Sequence, residues 1–324
     1  RLIPVQGDLT QPLLGVDEAT RAELRGKIRY FCHFAAIYDS AASHEAQAAT
    51  NIEGTRNAIE LAQDLEAGCF EHVSSIAAGG MYNGTFREDM FEEAENLDHP
   101  YFSTKHDSEG VVRNECKVPF RVYRPAMVVG HSRTGEIDKI DGAYYFFKSL
   151  QKLRNVLPPW FPLVGIEGGK FNVVPVDYVV DAMDHIVHLD DLDGRCFHLT
   201  NPDHHTMGNM MNIFADAGHA PRFSMRLDMR MFSFIPKFVR EAVAGLPPVK
   251  RIVSTMLADM GLPDTVTMFL NYPTRYDNRD TERALKGSGI SCPRLEDYAP
   301  VIWDYWERNL DPDLFVDYSL EGNV

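Results

Sequence analysis

An α/β fold, with a doubly wound parallel sheet and a smaller, mainly helical lobe, is what this chain predicts on three observations. Over the first 200 residues, strand-like and helix-like stretches alternate at a regular pitch, the pattern of a parallel sheet covered on both faces. Small or polar residues follow the strands (Gly7-Asp8, Ala35-Ala36, Ser74-Ser75 and Pro125-Ala126), at the edge where ligands sit in such sheets. With 324 residues, 44% of them apolar and 24% charged, the chain can bury a sizeable core.

In order, residues 2–5 form a short apolar strand and residues 30–35 a second. Residues 45–65 follow as a helix whose apolar side holds Ala48, Ile52, Ala58, Ile59, Ala62 and Leu65. A strand over 69–74 closes in SSIAAGG, and a loop over 81–100 carries FREDMFEEAE, an acidic run that reads as a solvated face. A helix over 101–115 and a strand over 120–123 come next. Regularity breaks after Val129, where residues 131–172 are rich in aromatics, Gly and Pro. FNVVPVDYVVDAM resumes strand then helix, with Asp177 placed to start or cap the helix, and residues 196–199 form another strand. Residues 223–270 read as helices broken by Pro and Gly, and a last helix spans 298–308. The expected organisation is a sheet domain over 1–200 with an insertion at about 131–172, a mainly helical lobe over 201–312 and a linker over 313–324.

Charge and cysteine usage exclude several roles. Lys and Arg total 32 against 47 Asp and Glu, a formal charge of −15, so nucleic acid and anionic membranes repel the chain on average. The basic, apolar stretch 222–243 is the exception, and the one candidate for peripheral membrane contact. No run reaches the roughly 18 apolar residues of a membrane span. Five scattered cysteines, without Cys-x-x-Cys or His-Glu-x-x-His patterns, point away from a disulfide scaffold or a metal site. They fit a reducing compartment, the cytoplasm. His204-His205 has no third ligand in support, and His33 reads as a packed neutral residue.

The stretch HPYFSTKH puts Tyr101 four residues before Lys105, and YYFFK repeats the spacing at Tyr144 and Lys148. On a helix the two residues share a face, and the ammonium favours the phenolate. That tunes a phenol of ordinary pKa about 10 toward acid–base work. Spacing alone does not choose between the copies. Tyr101 follows the strand ending at Ser74-Ser75 by one loop and precedes Arg124-Pro125, whereas Tyr144 lies among Phe146, Phe147 and Leu150 and reads as packing or pocket wall.

Six motifs then fall in a known order: GDL at Gly7, HFAA at His33, TNIEGT at Thr50, HVSS at His72, YFSTK at Tyr101 and YRPAMVVG at Tyr123. Over essentially its whole length the chain resembles the extended short-chain dehydrogenases/reductases. Through HFAAIYD, NIEGTRNAIELA, HVSSIAAGG, FREDMFEEAE and APVIWDYWERNLDPDLF, it is most similar to the N-terminal reductase region of bacterial, Marinobacter-type fatty acyl-CoA reductases. The resemblance implies a Rossmann-type NADP-binding domain, NADPH as cofactor, and reduction of long-chain acyl-CoA to fatty aldehyde and onward to alcohol. Ser75, Tyr101 and Lys105 match the catalytic serine, tyrosine and lysine, with Ser74 and Asn51 in support. Asp8, followed by Leu9, matches the acidic residue near the adenine, and Ala35 and Ala36 the segment beside the cofactor. Tyr123, Arg124, Pro125 and Ala126 match the segment passing the nicotinamide, and Lys105 also meets the nicotinamide ribose.

Two parts of the family pattern are absent from these residues: the opening strand with its Gly-x-x-Gly-x-x-Gly turn, which holds the pyrophosphate, and the basic residues that select NADPH. Counting from GDL, about 50–60 residues of the family's pattern are missing, its central strand among them. The segment as given is therefore expected to be inactive, and the activity to belong to the intact protein. DLFVDYSLEGNV resembles the linker entering a second reductase domain. Met229 and Phe232, with Tyr144, Trp160 and Phe161, are candidates for a pocket taking an acyl-CoA or fatty aldehyde, beside the plainer reading as lobe core. A sugar-nucleotide epimerase/dehydratase or sterol-type dehydrogenase shares the same three catalytic residues and is the first rival. A nonenzymatic nucleotide-sensing protein is the second, and the retention of all three residues argues against it.

Overall fold

The computed structural model describes residues 2–36, 48–138, 140, 142–227 and 272–315. The principal elements, in chain order, begin with helix α1 (Glu18–Leu24), strand β1 (Tyr30–His33), α2 (Gly54–Asp64), β2 (Cys69–Val73), α3 (Pro100–Glu115), β3 (Phe120–Pro125) and β4 (Met127–Val129). There follow α4 (Tyr145–Val156), β5 (Leu163–Ile166), β6 (Val173–Pro175), α5 (Val176–Val187), β7 (Cys196–Leu199), α6 (Met207–Ala217) and β8 (Phe223–Leu227). Helices α7 (Arg279–Ala284) and α8 (Leu295–Asn309) complete the described chain.

Two compact units share these elements. The first gathers residues 1–126, 179–202 and 273–291. Its centre is a four-stranded parallel sheet in the order β1-β2-β3-β7, with His33 opposite His72, His72 opposite Val122, and Arg124 opposite His198. Side chains alternate across this sheet. Phe70 meets Ala58, Ile59 and Ala62 of α2 and Val111 and Val112 of α3 on one face. On the other face Arg121 closes the end of α5, its guanidinium donating to the carbonyls of Ile186, Val187 and Leu189. Helices on both faces make the sheet doubly wound, a Rossmann-like core, as the alternation predicts.

The second unit comprises residues 127–178, 203–272 and 292–324. Its described core is aromatic: Phe147 of α4 packs on Phe214 of α6 and on Trp303 and Trp306 of α8, at ring-centroid distances of 4.7, 5.0 and 5.5 Å. Arg154 of α4 pairs with Glu307 of α8, and Lys148 of α4 with Asp311 just beyond α8. Asp177 does open α5, where its carboxylate accepts from the backbone and hydroxyl of Ser132.

Several local expectations are corrected. Residues 2–5 form no strand; among the described residues no strand lies alongside to complete a ladder, and Leu2 stays 99% exposed despite its β-like neighbours. Within 131–172, read as irregular, the apolar face of YFFKSLQKLRNV makes α4. Residues 223–227, read as the start of a helix, form β8 parallel to β5. Glu88, placed on a solvated acidic face, is buried and accepts from the amides of His198, Asp280 and Thr281 and from the Thr281 hydroxyl. Those bonds draw residues 273–291 into the first unit. Among the described residues no helix is long and apolar enough to cross a membrane.

Candidate active site

Strand β2 ends at the carboxyl edge of the sheet, and the chain turns sharply at Ser74-Ser75. Ser75 is extended, and its Oγ accepts from Ala77 N at 3.1 Å, capping the 3-10 turn Ile76–Gly79. That bond uses a lone pair, so the hydroxyl proton remains available to a substrate oxygen. Gly80 takes the chain away at φ 61°, where an added Cβ would lie 2.1 Å from Glu95 O. The turn is held from two sides: His106 Nδ1–H donates to Ala78 O at 3.0 Å, and the Tyr276 hydroxyl to Ile76 O at 3.2 Å.

Helix α3 supplies the partners. Pro100 occupies its first turn and His99 caps it, Nδ1 accepting from Tyr101 N at 3.2 Å. Tyr101, half-buried, sits at the mouth of the helix, with Lys105 and Glu109 following on the same face at one-turn intervals. Lys105 is buried, and its Nζ donates to Val73 O at 3.5 Å, at the end of β2 just before the serine pair. Burial pulls its pKa down to about 8, opposed by the charge of Glu109. Asn51, buried in the turn Ala49–Glu53, donates from Nδ2 to Thr104 Oγ1 at 3.4 Å and so braces α3 next to Lys105. Sheet end, serine turn and helix thus bring Asn51, Ser74, Ser75, Tyr101 and Lys105 to one edge of the first unit.

Beneath these groups lies a cluster that motif reading passed over. Glu109, fully buried, accepts from Ser74 Oγ at 2.8 Å, from Arg124 Nε and Nη2 at 2.9 and 2.6 Å, and from Arg113 Nε at 2.8 Å. Burial alone would raise its pKa, but the charge and hydrogen bonds of Arg124, with Arg113 and Ser74, hold it well below the carboxylate range. Arg124 also donates to Met90 O and to His198 Nε2. The available signal was Glu109's place four residues after Lys105 on the same helical face.

The remaining expected residues fall as follows. Leu9 lies on Gly54 and its carbonyl accepts from Asn57 Nδ2, while Asp8 is exposed and accepts from Thr10. Ala35 and Ala36 are exposed just beyond β1. The side chains of Tyr123 and Arg124 are spent inside the unit, Tyr123 donating to Glu71 at 2.8 Å. Contact with a nucleotide from this segment would therefore come from the backbone near Pro125 and Ala126. Tyr144 is buried in the aromatic core of the second unit, where its hydroxyl accepts from Gly130 N at 2.9 Å, in keeping with its reading as packing. Trp160 and Phe161 are exposed in that unit, and Met229 and Phe232 lie outside the described residues.

A nicotinamide nucleotide fits the donors present. Among the described residues the Lys105 ammonium has one carbonyl acceptor, which leaves two of its three protons for ribose hydroxyls. Ala35 and Ala36, exposed just beyond β1, present only small side chains to a flat ring. Fold and site together define an extended NAD(P)-binding reductase domain of the short-chain dehydrogenase type. The chain belongs to the NAD-binding family described as male sterility protein, which matches residues 1–183.

Among curated proteins it is similar to the non-canonical nonribosomal peptide synthetase hkm10 of Aspergillus hancockii, at 28% identity over 96% of this chain and 30% of that protein. It is also similar to the aldehyde reductase lnbA of Aspergillus flavus, at 22% identity over 85% of this chain and 27% of that protein. The chain thus spans less than a third of the length of these relatives. Of solved structures, the terminal R domain of the myxalamid PKS-NRPS biosynthetic pathway superposes with a TM-score of 0.69 at 25% identity, covering 94% of this chain and 75% of that one. Sugar-nucleotide epimerases share the fold at lower identity.

Proposed function

We propose that the intact protein is an NADPH-dependent reductase of acyl thioesters, yielding an aldehyde that the same site can take on to the alcohol. The observation that carries this reading is the buried Lys105 ammonium at the end of β2, one helical turn from Tyr101 and beside the Ser74-Ser75 turn. The relatives point to the same chemistry, since they include an aldehyde reductase and peptide synthetases. Long-chain acyl-CoA is the substrate that the sequence resemblance implies; an acyl group carried on a synthetase-type thioester is the one the relatives favour.

When bound, the reduced nicotinamide supplies the hydride to the carbonyl carbon. Tyr101 gives its phenolic proton to the oxygen on which negative charge develops. Ser75 donates its free hydroxyl proton to the same oxygen and holds it in line, and Lys105, still charged below about pH 8, favours the phenolate left on Tyr101. Expulsion of the thiol from the resulting hemithioacetal leaves the aldehyde. Asn51 keeps the Lys105 segment of α3 in place through Thr104.

The test is cofactor oxidation and product analysis with the intact protein, offered palmitoyl-CoA, the palmitoyl thioester of pantetheine, hexadecanal and a UDP-sugar. Thioester-dependent NADPH oxidation with aldehyde formed is the expected result. Tyr101→Phe should lower kcat by about 10²-fold or more with KM little changed. Turnover of the UDP-sugar alone would move the assignment to the epimerase/dehydratase reading, and an undiminished rate in Tyr101→Phe would remove the tyrosine's role.

A further inference from the structure

Three groups must converge at the candidate site, and they ride on two elements separated in the chain by residues 76–99. Ser75 sits on the turn after β2, whereas Tyr101 and Lys105 sit on α3. A displacement of about 1 Å between such groups is enough to cost about 10²-fold in rate. Contacts of Lys105 itself do little to prevent that, since its bond to Val73 O is long at 3.5 Å. His106 ties α3 to the far side of the serine turn through Ala78 O at 3.0 Å; the short bonds from α3 to Ser74 and to the neighbouring strand β3 belong to Glu109.

Glu109 stands one turn beyond Lys105 on the same face and has both oxygens fully engaged. Oε2 accepts from Ser74, the residue bonded to Ser75, and from Arg124 Nε; Oε1 accepts from Arg124 Nη2 and Arg113. Arg124 lies in β3, which pairs with β2 in parallel, so one carboxylate joins the catalytic helix to the ends of two adjacent strands. Arg124 is anchored in turn by Met90 O and by His198, whose Nδ1–H donates to Asp277 O at 2.7 Å. Glu109, Ser74, Arg124, Met90 and His198 of this clamp are all buried.

We infer that Glu109 is a positioning residue for the reaction: by clamping Ser74 and Arg124 to α3, it sets the separation between Ser75 and the pair Tyr101 and Lys105. It rests on the assignment of Ser75, Tyr101 and Lys105 as the reacting groups. A second effect follows from place. Among the described residues, the charged and titratable groups around Lys105 are Tyr101 and Glu109 on its own helix, His33 on β1 and His72 on β2, with Arg113 and Arg124 beyond the carboxylate. Both histidines are buried and neutral, so among the described residues Glu109 is the negative charge that favours the Lys105 ammonium against its burial.

Two substitutions in the intact protein test this, each followed by kcat, KM, the pH profile of kcat/KM and thermal unfolding. Ser74→Ala removes one tie without leaving a buried charge unpaired; kcat should fall about tenfold or more with KM nearly unchanged and the protein folded. Glu109→Gln should lower kcat further and move the alkaline limb of the profile to lower pH, because Lys105 then loses its proton sooner. A purely structural role would lower activity equally at every pH. If Glu109→Gln does not fold, Ser74→Ala decides alone. Wild-type kcat in Ser74→Ala, or an unmoved alkaline limb in a folded Glu109→Gln protein, overturns the inference. An active wild type whose rate survives Tyr101→Phe overturns the assignment beneath it instead.

Discussion

Lys105 shows at the scale of one residue how a site can oppose the stability of its own fold. A lysine ammonium is costly to bury, and this one has a single long bond to a carbonyl and a carboxylate one turn away. Replacing it by methionine, of similar length and without charge, removes that cost. Lys105→Met should therefore leave the unfolding free energy unchanged or raise it, while kcat drops by about 10²-fold or more. Denaturant titration beside steady-state kinetics checks both. A loss of more than about 2 kcal/mol would mark the lysine as part of the framework. Glu109 is the contrasting case, a buried charge whose four hydrogen bonds make it part of that framework.

At the scale of elements, the serine turn is set by a glycine as much as by the serines. Gly80 ends the capped 3-10 turn in a left-handed conformation pressed against the Glu95 carbonyl. A methyl group there must push backbone away. Gly80→Ala is expected to cost about 1–3 kcal/mol and to shift the Ser75 hydroxyl relative to α3, lowering kcat more than KM. Calorimetry and kinetics on the same preparation would show it, and an unchanged melting temperature would mean that the turn has slack. The cap at the other element, His99 on the first turn of α3, works alongside: it orients the helix end that carries Tyr101.

For the whole molecule the governing feature is the set of histidines buried along the sheet. Burial, and then Lys105, brings His33 down to about 4; burial, with His33 and Lys105, holds His72 far below its ordinary value; burial and Arg124 bring His198 to about 3. In the unfolded chain each takes a proton as pH falls through about 6.5, while the folded chain does not. Between that pH and about 4 the unfolded state binds more protons, so stability falls as pH falls, by up to about 1.4 kcal/mol per pH unit for each such group. Glu109 adds to this at more acid pH, since its stabilisation is present above its unfolded pKa and lost as pH falls toward its depressed folded value. The urea midpoint should decline steadily from pH 7 to pH 5. Among the described residues neither ring nitrogen of His72 has a hydrogen-bond partner, so His72→Leu should fold and flatten the decline. A slope identical to wild type would show that His72 is not among the groups responsible.

Much of this was written locally. Alternating strand and helix patterns determine the parallel sheet, because each pattern lies within a few turns of chain, and the order of six short motifs places Ser75, Tyr101 and Lys105 on its edge. The sequence even states the geometry of α3, since residues four apart on a helix must share a face. What it left open was settled by partners far along the chain. Glu88 looked like one more solvated acid until Thr281, 193 residues away, closed on it. Residues 223–227, read as a helix start, become a strand because residues 163–166 offer a ladder, while residues 2–5, with better strand character, find none among the described residues. Arg124 stands in the segment matched to the cofactor's side, and only the fold shows that Glu109 and Met90 hold its guanidinium. Periodicity reports which residues face a common side; which side then finds a hydrogen-bond partner, a charge or water is fixed only when distant segments meet, and the clamp behind the candidate site is of that second kind.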